Sequence, residues 1–214
     1  GKVFLHKEYY ELNVNNIIYI EPYSFAPKSF QPEYMHELKS FTQLFKKFIK
    51  SNPKVNFFIN LSNIFSISGK NIFFIHRLIP ILKNSLINNN IPGPFFGGSL
   101  DAGILIAYLL GYKKIFLIGF DAWTFDQSQN LRWVEHGKGV SVKNLNPNKF
   151  FFKQMQKYIE IVVVTPGSEI SPVLPSISYK ELTGYDPFYR ENTEIISTKD
   201  LQILNQSSDY NCNI

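Results

Sequence analysis

Met35, Leu38, Phe41, Leu44, Phe45 and Phe48 recur at helical intervals, which predicts an amphipathic helix over 33–50 with one apolar stripe. Ser51-Asn52-Pro53 stops it. Apolar runs of strand length flank this helix at 17–20 and 55–61. Glu21-Pro22 ends the first run, and Pro22 to Pro27 reads as a loop. The pattern over 72–88 is mostly helical, with Pro80 as a kink or a new start. Residues 1–14 read as polar and irregular, and Gly1-Lys2 as an arbitrary beginning.

The strongest pattern covers 97–121. A Gly97-Gly98-Ser99 turn leads into an apolar stretch over 101–110 whose hydrophobic residues cover nearly every face, as in a helix buried on most sides. Ser99 stands where an N-cap belongs, Asp101 falls in the first turn, and Gly111 is a natural C-terminal stop. The run 115–118 has the continuous hydrophobicity of a central parallel strand, and Gly119 ends it. Asp121 and Trp123 follow at its carboxyl end, where open α/β sheets bind ligands. On spacing alone, an ordinary helix–strand unit fits as well as a ligand site.

Further along, 121–139 is polar and aromatic, 148–157 is helical, and 161–164 is a buried strand closed by Thr165-Pro166-Gly167-Ser168. Short helices follow near 179–182 and 199–204. Helices alternate with short apolar strands, which predicts α/β architecture with a mainly parallel sheet and flanking helices. The expected organisation is a catalytic α/β domain over 1–175, incomplete at its N-terminus, and a helical or loop extension over 176–214.

Composition narrows the chemistry. The 214 residues include one cysteine, Cys212, so there is no internal disulfide and no cysteine metal site, and a reducing compartment is expected. No apolar run approaches the ~18 residues of a membrane-spanning helix. The chain is thus expected to be cytoplasmic, or peripheral at the inner membrane. Net charge is +5, and within 132–157 Arg132, Lys138, Lys143, Lys149, Lys153 and Lys157 face only Glu135. That excess suits an anionic partner, although a solvated helix face has the same signature. With three arginines in all and no recognition motif, nucleic acid is not expected.

Before Gly93 the only glycines are Gly1 and Gly69, so neither a P-loop nor a complete dinucleotide fingerprint can be placed. HExxH, DxD and a GxSxG nucleophile turn are also missing. Of four histidines, His6 lies in the irregular start, and His36 and His76 lie in predicted helices. His136 is different: it sits in a loop beside Gly137 and Lys138, where an imidazole can take a proton from a hydroxyl. Trp123 and Trp133 offer stacking surfaces for a base or sugar, with core packing as the alternative.

Three pieces occur in order: Ser99 through Leu110-Gly111-Tyr112-Lys113 to Gly119-Phe120-Asp121, then His136-Gly137-Lys138, then Thr165-Pro166-Gly167-Ser168. Together they resemble the bacterial sialyltransferases of glycosyltransferase family forty-two, over roughly 50–175. The first piece also resembles the motility-accessory and pterin-diphosphokinase-like proteins. The resemblance implies a Rossmann-like, variant GT-A-type single domain, here without the family's first strand. It implies metal-independent, inverting transfer of a CMP-activated, sialic-acid-like sugar to a lipooligosaccharide hydroxyl, without a cofactor. His136 would be the general base. Gly98, Ser99, Asp121, Trp123, Pro166 and Ser168 would line the donor site, with Arg132 and Lys138 holding anionic groups. The expected partners are a nucleotide-sugar donor and a glycan acceptor, with peripheral membrane contact and homo-oligomers as further expectations.

Departures accompany the likeness. The family's Gly-Asn-Gly-Pro-Ser nucleotide loop has no counterpart, Trp123 stands where the family has tyrosines, and Glu135-His136-Gly137 replaces Gly-His-Ser. Two alternatives stay open: a magnesium-dependent diphosphate transferase, and a non-catalytic glycan- or partner-binding domain.

Overall fold

The computed structural model describes residues 3–31, 39–76, 98–119, 149–167, 171, 173–188 and 190–206. These residues form mixed α/β structure with two three-stranded parallel sheets. Residues 3–31, 39–76 and 190–206 belong to one compact unit, and the other described residues to a second.

In unit 1 the sheet runs in the order β1 (Asn16–Tyr19), β2 (Asn56–Asn60) and β3 (Ile72–Ile75), all parallel. Register places Ile17, Phe57 and Ile72 in one row and Tyr19, Ile59 and Phe74 in another, so one face of the pleat is aliphatic and aromatic. Helix α1 (Lys39–Ser51) covers that face with Phe41, Phe45 and Ile49, spaced four apart. The opposite face carries Phe58 stacked on Phe73, ring centroids 5.3 Å apart. The helical expectation for 72–88 fails at its start: the β-branched and aromatic run Ile72-Phe73-Phe74-Ile75 pairs with β2 as a strand. His76 follows that strand and is exposed, while 77–88 and His36 lie outside the described residues.

The segment expected to be irregular is part of the core. Phe4, Leu5 and Tyr9 are buried, and the Phe4 ring lies 4.9 Å from both Phe45 and Phe48. His6 forms an antiparallel bridge with Ile196, and the Lys7 N–H donates to the Ile195 carbonyl at 2.7 Å. Arg190 donates to both Glu8 carboxylate oxygens, Nη1 to Oε1 at 2.8 Å and Nη2 to Oε2 at 3.0 Å. Two short helices, α5 (Asn192–Ile195) and α6 (Thr198–Leu204), follow Arg190 in the chain. Leu201 and Leu204 of α6 complete the core, and α6 touches α1.

In unit 2 the order is β4 (Lys114–Leu117), β5 (Glu160–Thr165) and β6 (Ser176–Ser178), again all parallel. Helix α2 (Ser99–Leu109) precedes β4, α3 (Lys149–Met155) precedes β5, and α4 (Tyr179–Thr183) follows β6. Ile104 and Leu105 of α2 and Phe152 and Met155 of α3 pack with Leu117, Ile161 and Val163. The run 115–118, expected as a central parallel strand, forms β4 over Lys114–Leu117 and is parallel to β5. Among the described residues β4 pairs only with β5, and its second face (Lys114, Phe116) is exposed. On that face the Lys114 ammonium sits 4.9 Å from the Phe116 ring centre and 2.8 Å from Glu160.

Two measurements check this account of unit 1. In urea unfolding, Phe45→Ala should cost about 3–5 kcal/mol. Tyr9→Phe should be neutral or slightly stabilising, because the buried Tyr9 hydroxyl has no hydrogen-bond partner among the described residues. The second measurement concerns pH. The hydrogen-bonded Arg190 guanidinium holds the Glu8 carboxyl below the usual range. A carboxylate with a lowered folded pKa stabilises above its unfolded value, about 4.3, and loses that contribution as pH falls through the folded one. Melting of Glu8→Gln should therefore trail the parent near neutrality, with the gap closing only below about pH 4.3.

Candidate functional site

The three strands of unit 2 all end at one edge. Register pairs Leu117 with Val163, Val163 with Ser176, and Thr165 with Ser178, so Thr165 and Ser178 stand in one row there and Gly119 follows the end of β4 by two residues. The N-terminus of α2 comes to the same edge for a geometric reason. Only residues 110–113 separate α2 from β4, and both pack into one core, so the helix runs antiparallel to the strand it precedes. Helix start, strand end and the turn after β5 thus share one rim.

Each part of that rim has a local cause. Gly98, extended at φ −178°, is the N-cap of α2, and Ser99 is the first helical residue. The expectation that Ser99 caps the helix is therefore off by one position, and Gly98 offers no side chain to the first-turn N–H groups. Those N–H groups with the helix dipole favour an anion. Asp101, in that first turn, is buried at 5% exposure. Gly111 ends the helix with φ +89°, and Gly119 turns the chain after β4 with φ +72°, both in the left-handed region that favours glycine.

At the end of β5 the buried Thr165 hydroxyl donates to the Gly167 carbonyl at 2.9 Å, folding the turn back on itself and leaving Pro166 exposed. The Ser171 hydroxyl accepts from the N–H groups of Val173 and Leu174 at 3.4 and 3.3 Å, which shapes the return toward β6. Ser178 and Glu181 then form a reciprocal capping box that starts α4. Glu181 is held below the usual carboxylate range by its hydrogen bonds from Ser178.

Of the residues named from the sequence, Gly98, Ser99 and Pro166 lie on this rim. Asp121, Trp123, Arg132, His136, Lys138 and Ser168 lie outside the described residues. Among the described residues no three His, Cys, Asp or Glu side chains gather where a metal ion would sit, and no helix is long and apolar enough to cross a membrane.

A second polar construction, in unit 1, was not anticipated from the sequence. At the carboxyl end of β2, Asn60 Nδ2 donates to the Ile20 carbonyl at 2.9 Å, and Asn63 Nδ2 to the Glu21 carbonyl at 3.1 Å. Asn63 Oδ1 accepts from the Phe25 N–H at 2.9 Å, and Ser62 Oγ from the Tyr23 N–H at 2.8 Å. These side chains clamp the loop leaving β1 and hold Tyr23 at φ +55°, an unusual conformation for a residue with a side chain. A buried Asn after an apolar strand was the available signal. In an Asn-rich chain it did not stand out.

Compared with family models, curated proteins and solved structures, the chain has no match.

The rim's backbone can be tested without a ligand. Gly119→Ala should cost about 1–2 kcal/mol, because alanine resists the left-handed conformation even in open space. Gly98→Ala meets nothing within 4 Å on an extended backbone and should change stability by no more than ~0.5 kcal/mol. Paired urea titrations of the two variants check the contrast.

Proposed function

We propose that the chain is a glycosyltransferase-like enzyme that binds a nucleotide-activated sugar at the carboxyl edge of the β4–β5–β6 sheet. The observation that carries this reading is the convergence on that edge of the α2 N-terminus, the Gly119 turn and the Thr165–Gly167 turn. Such an edge, with parallel strands behind it and flanking helices in a Rossmann-like arrangement, suits a nucleotide. The ordered likeness to the sialyltransferase motifs supplies the substrate class: a CMP-linked, sialic-acid-like donor and a hydroxyl of a surface glycan.

The chemistry follows from the charges. His136 takes the proton of the acceptor hydroxyl, and the acceptor oxygen forms a bond to the anomeric carbon. The bond from that carbon to the donor phosphate oxygen breaks, and the nucleotide leaves with the electron pair. Negative charge grows on that phosphate, so fixed N–H donors at the start of α2 stabilise the departing group more than the bound donor. Arg132 and Lys138 add cationic charge for the same anion. Trp123 donates an indole N–H, and Ser168 and the exposed Pro166 shape the donor side.

Calorimetry with CMP, UDP, GDP and ATP, each with and without magnesium, is the first test. CMP should bind without metal. Gly98→Ala, with stability expected within ~0.5 kcal/mol of the parent, should weaken CMP binding roughly tenfold by obstructing one charge-assisted hydrogen bond. With CMP-sialic acid as donor, His136→Ala should lower transfer to a lipooligosaccharide acceptor by about 10²–10⁴-fold while CMP still binds. Binding that requires magnesium, or failure to bind any nucleotide, would overturn the proposal.

A further inference from the structure

The clamped loop of unit 1 forms one wall of a cleft of about 270 Å³ that the transferase reading does not use. Ser24, Phe25 and Gln31 line that wall, and Lys39, Gln43 and Lys46 of α1 line the other. The three α1 positions are spaced by four and three residues, so they share one face of the helix. Lys39 and Lys46 stand about 10 Å apart along the axis, close enough for two flexible stems to converge on one group between them.

Charge makes the cleft selective. Among the described residues that line it, two carry ammonium groups and none a carboxylate. Lys46 Nζ donates to the Ser66 carbonyl at 3.1 Å, and an ammonium has further protons to give. Lys39 is exposed; its carbonyl accepts from the Thr42 hydroxyl at 2.9 Å, and its ammonium has no hydrogen-bond or ion-pair partner among the described residues.

The opposite wall is pre-formed. Gln31 Nε2 donates to the Ser24 carbonyl at 3.0 Å, and Ser24 Oγ donates to the Glu21 carbonyl at 3.1 Å. The Asn63 bond to the Phe25 N–H fixes the loop from behind. Phe25, at 8% exposure, gives the cleft an apolar surface held by the aromatic core beneath it. The volume lies just under the roughly 300–1,000 Å³ of drug-sized sites, which suits a body of about one ring.

We infer that this cleft binds a small organic anion, with its phosphate or carboxylate between Lys39 and Lys46 and its ring against Phe25. The inference rests on residues of unit 1 alone and stands apart from the transferase reading. It also supplies a second reason for the Asn60–Ser62–Asn63 clamp: a loop fixed in advance loses little entropy when a ligand docks.

The test is a titration of the ¹⁵N-labelled chain with three probes, followed by backbone amide shifts. Phenyl phosphate carries charge and ring, inorganic phosphate charge only, and benzyl alcohol ring only. Phenyl phosphate should shift the amides of Ser24, Phe25, Lys39 and Gln43 saturably, and bind more tightly than either partial probe. Lys39→Ala should weaken it by roughly fivefold, the size of one partly screened charge contact. Lys39→Glu should abolish binding, with unchanged far-UV circular dichroism in both variants. Three results would overturn the inference: shifts confined to other residues, affinity unchanged in Lys39→Ala, or a partial probe binding as well as phenyl phosphate.

Discussion

Parallel strands cannot be joined by a tight turn, and that constraint governs both units. Every chain segment that leaves a strand at the carboxyl edge must travel back across the sheet before the next strand can begin. All strand-leaving loops in a unit therefore gather on one edge, where no strand covers their backbone polar groups. In unit 1 the loops after β1 and β2 meet at such an edge and bond to each other through Asn60, Ser62 and Asn63. In unit 2 β4 and β5 end side by side, and the turns that follow them leave from that edge. Sites for small ligands are a consequence of this topology before any particular side chain is considered.

The two units cover their sheets differently. Unit 1 relies on rings: Phe45, fully buried, lies 4.9 to 6.4 Å from the rings of Phe4, Tyr19, Phe25, Phe41, Phe48 and Phe57. Few large side chains fill the space between helix and sheet, and residues far apart in sequence supply them. The N-terminal segment and the segment from Arg190 onward are thus bound into the same core, and Arg190–Glu8 ties them at the surface. The described core of unit 2 is aliphatic and aromatic, with Phe151, Phe152 and Met155 from a helix of two turns.

The legible parts of the fold were those with local periodicity. The stripe of α1, the strand runs of β1, β2 and β5, and the helix–turn–strand of 99–117 all carry their signal within a few residues. What failed was decided over longer range. Phe4, Leu5 and Tyr9 follow no period, because they are placed by turns of short 3₁₀ helix and by bonds to residues near 190–196. Ile72-Phe73-Phe74-Ile75 read as helix because it runs into a helical pattern, whereas pairing with β2 decides its state. Phe116 has the hydrophobicity of a buried residue yet lies on a face that no described element covers, since a strand's own sequence does not say whether it has neighbours on both sides.

Legibility of the site divides along the same line. Gly111 and Gly119 announce themselves, because positive φ is a property of one residue. Gly98 and Ser99 mark a helix start without saying which one caps it. Gly98 as N-cap bears on chemistry as well as on geometry: a serine cap would satisfy a first-turn N–H with its own side chain, and a glycine leaves that donor for a ligand or water. The buried asparagines of unit 1 work in the opposite way. Asn60 and Asn63 use their amides on the backbone of the neighbouring loop, so they support the wall of a cleft rather than offering contacts of their own. One edge presents a helix start with a glycine cap and the other a braced loop facing two lysines. Both favour negative charge, which accords with a chain whose formal charge is +5.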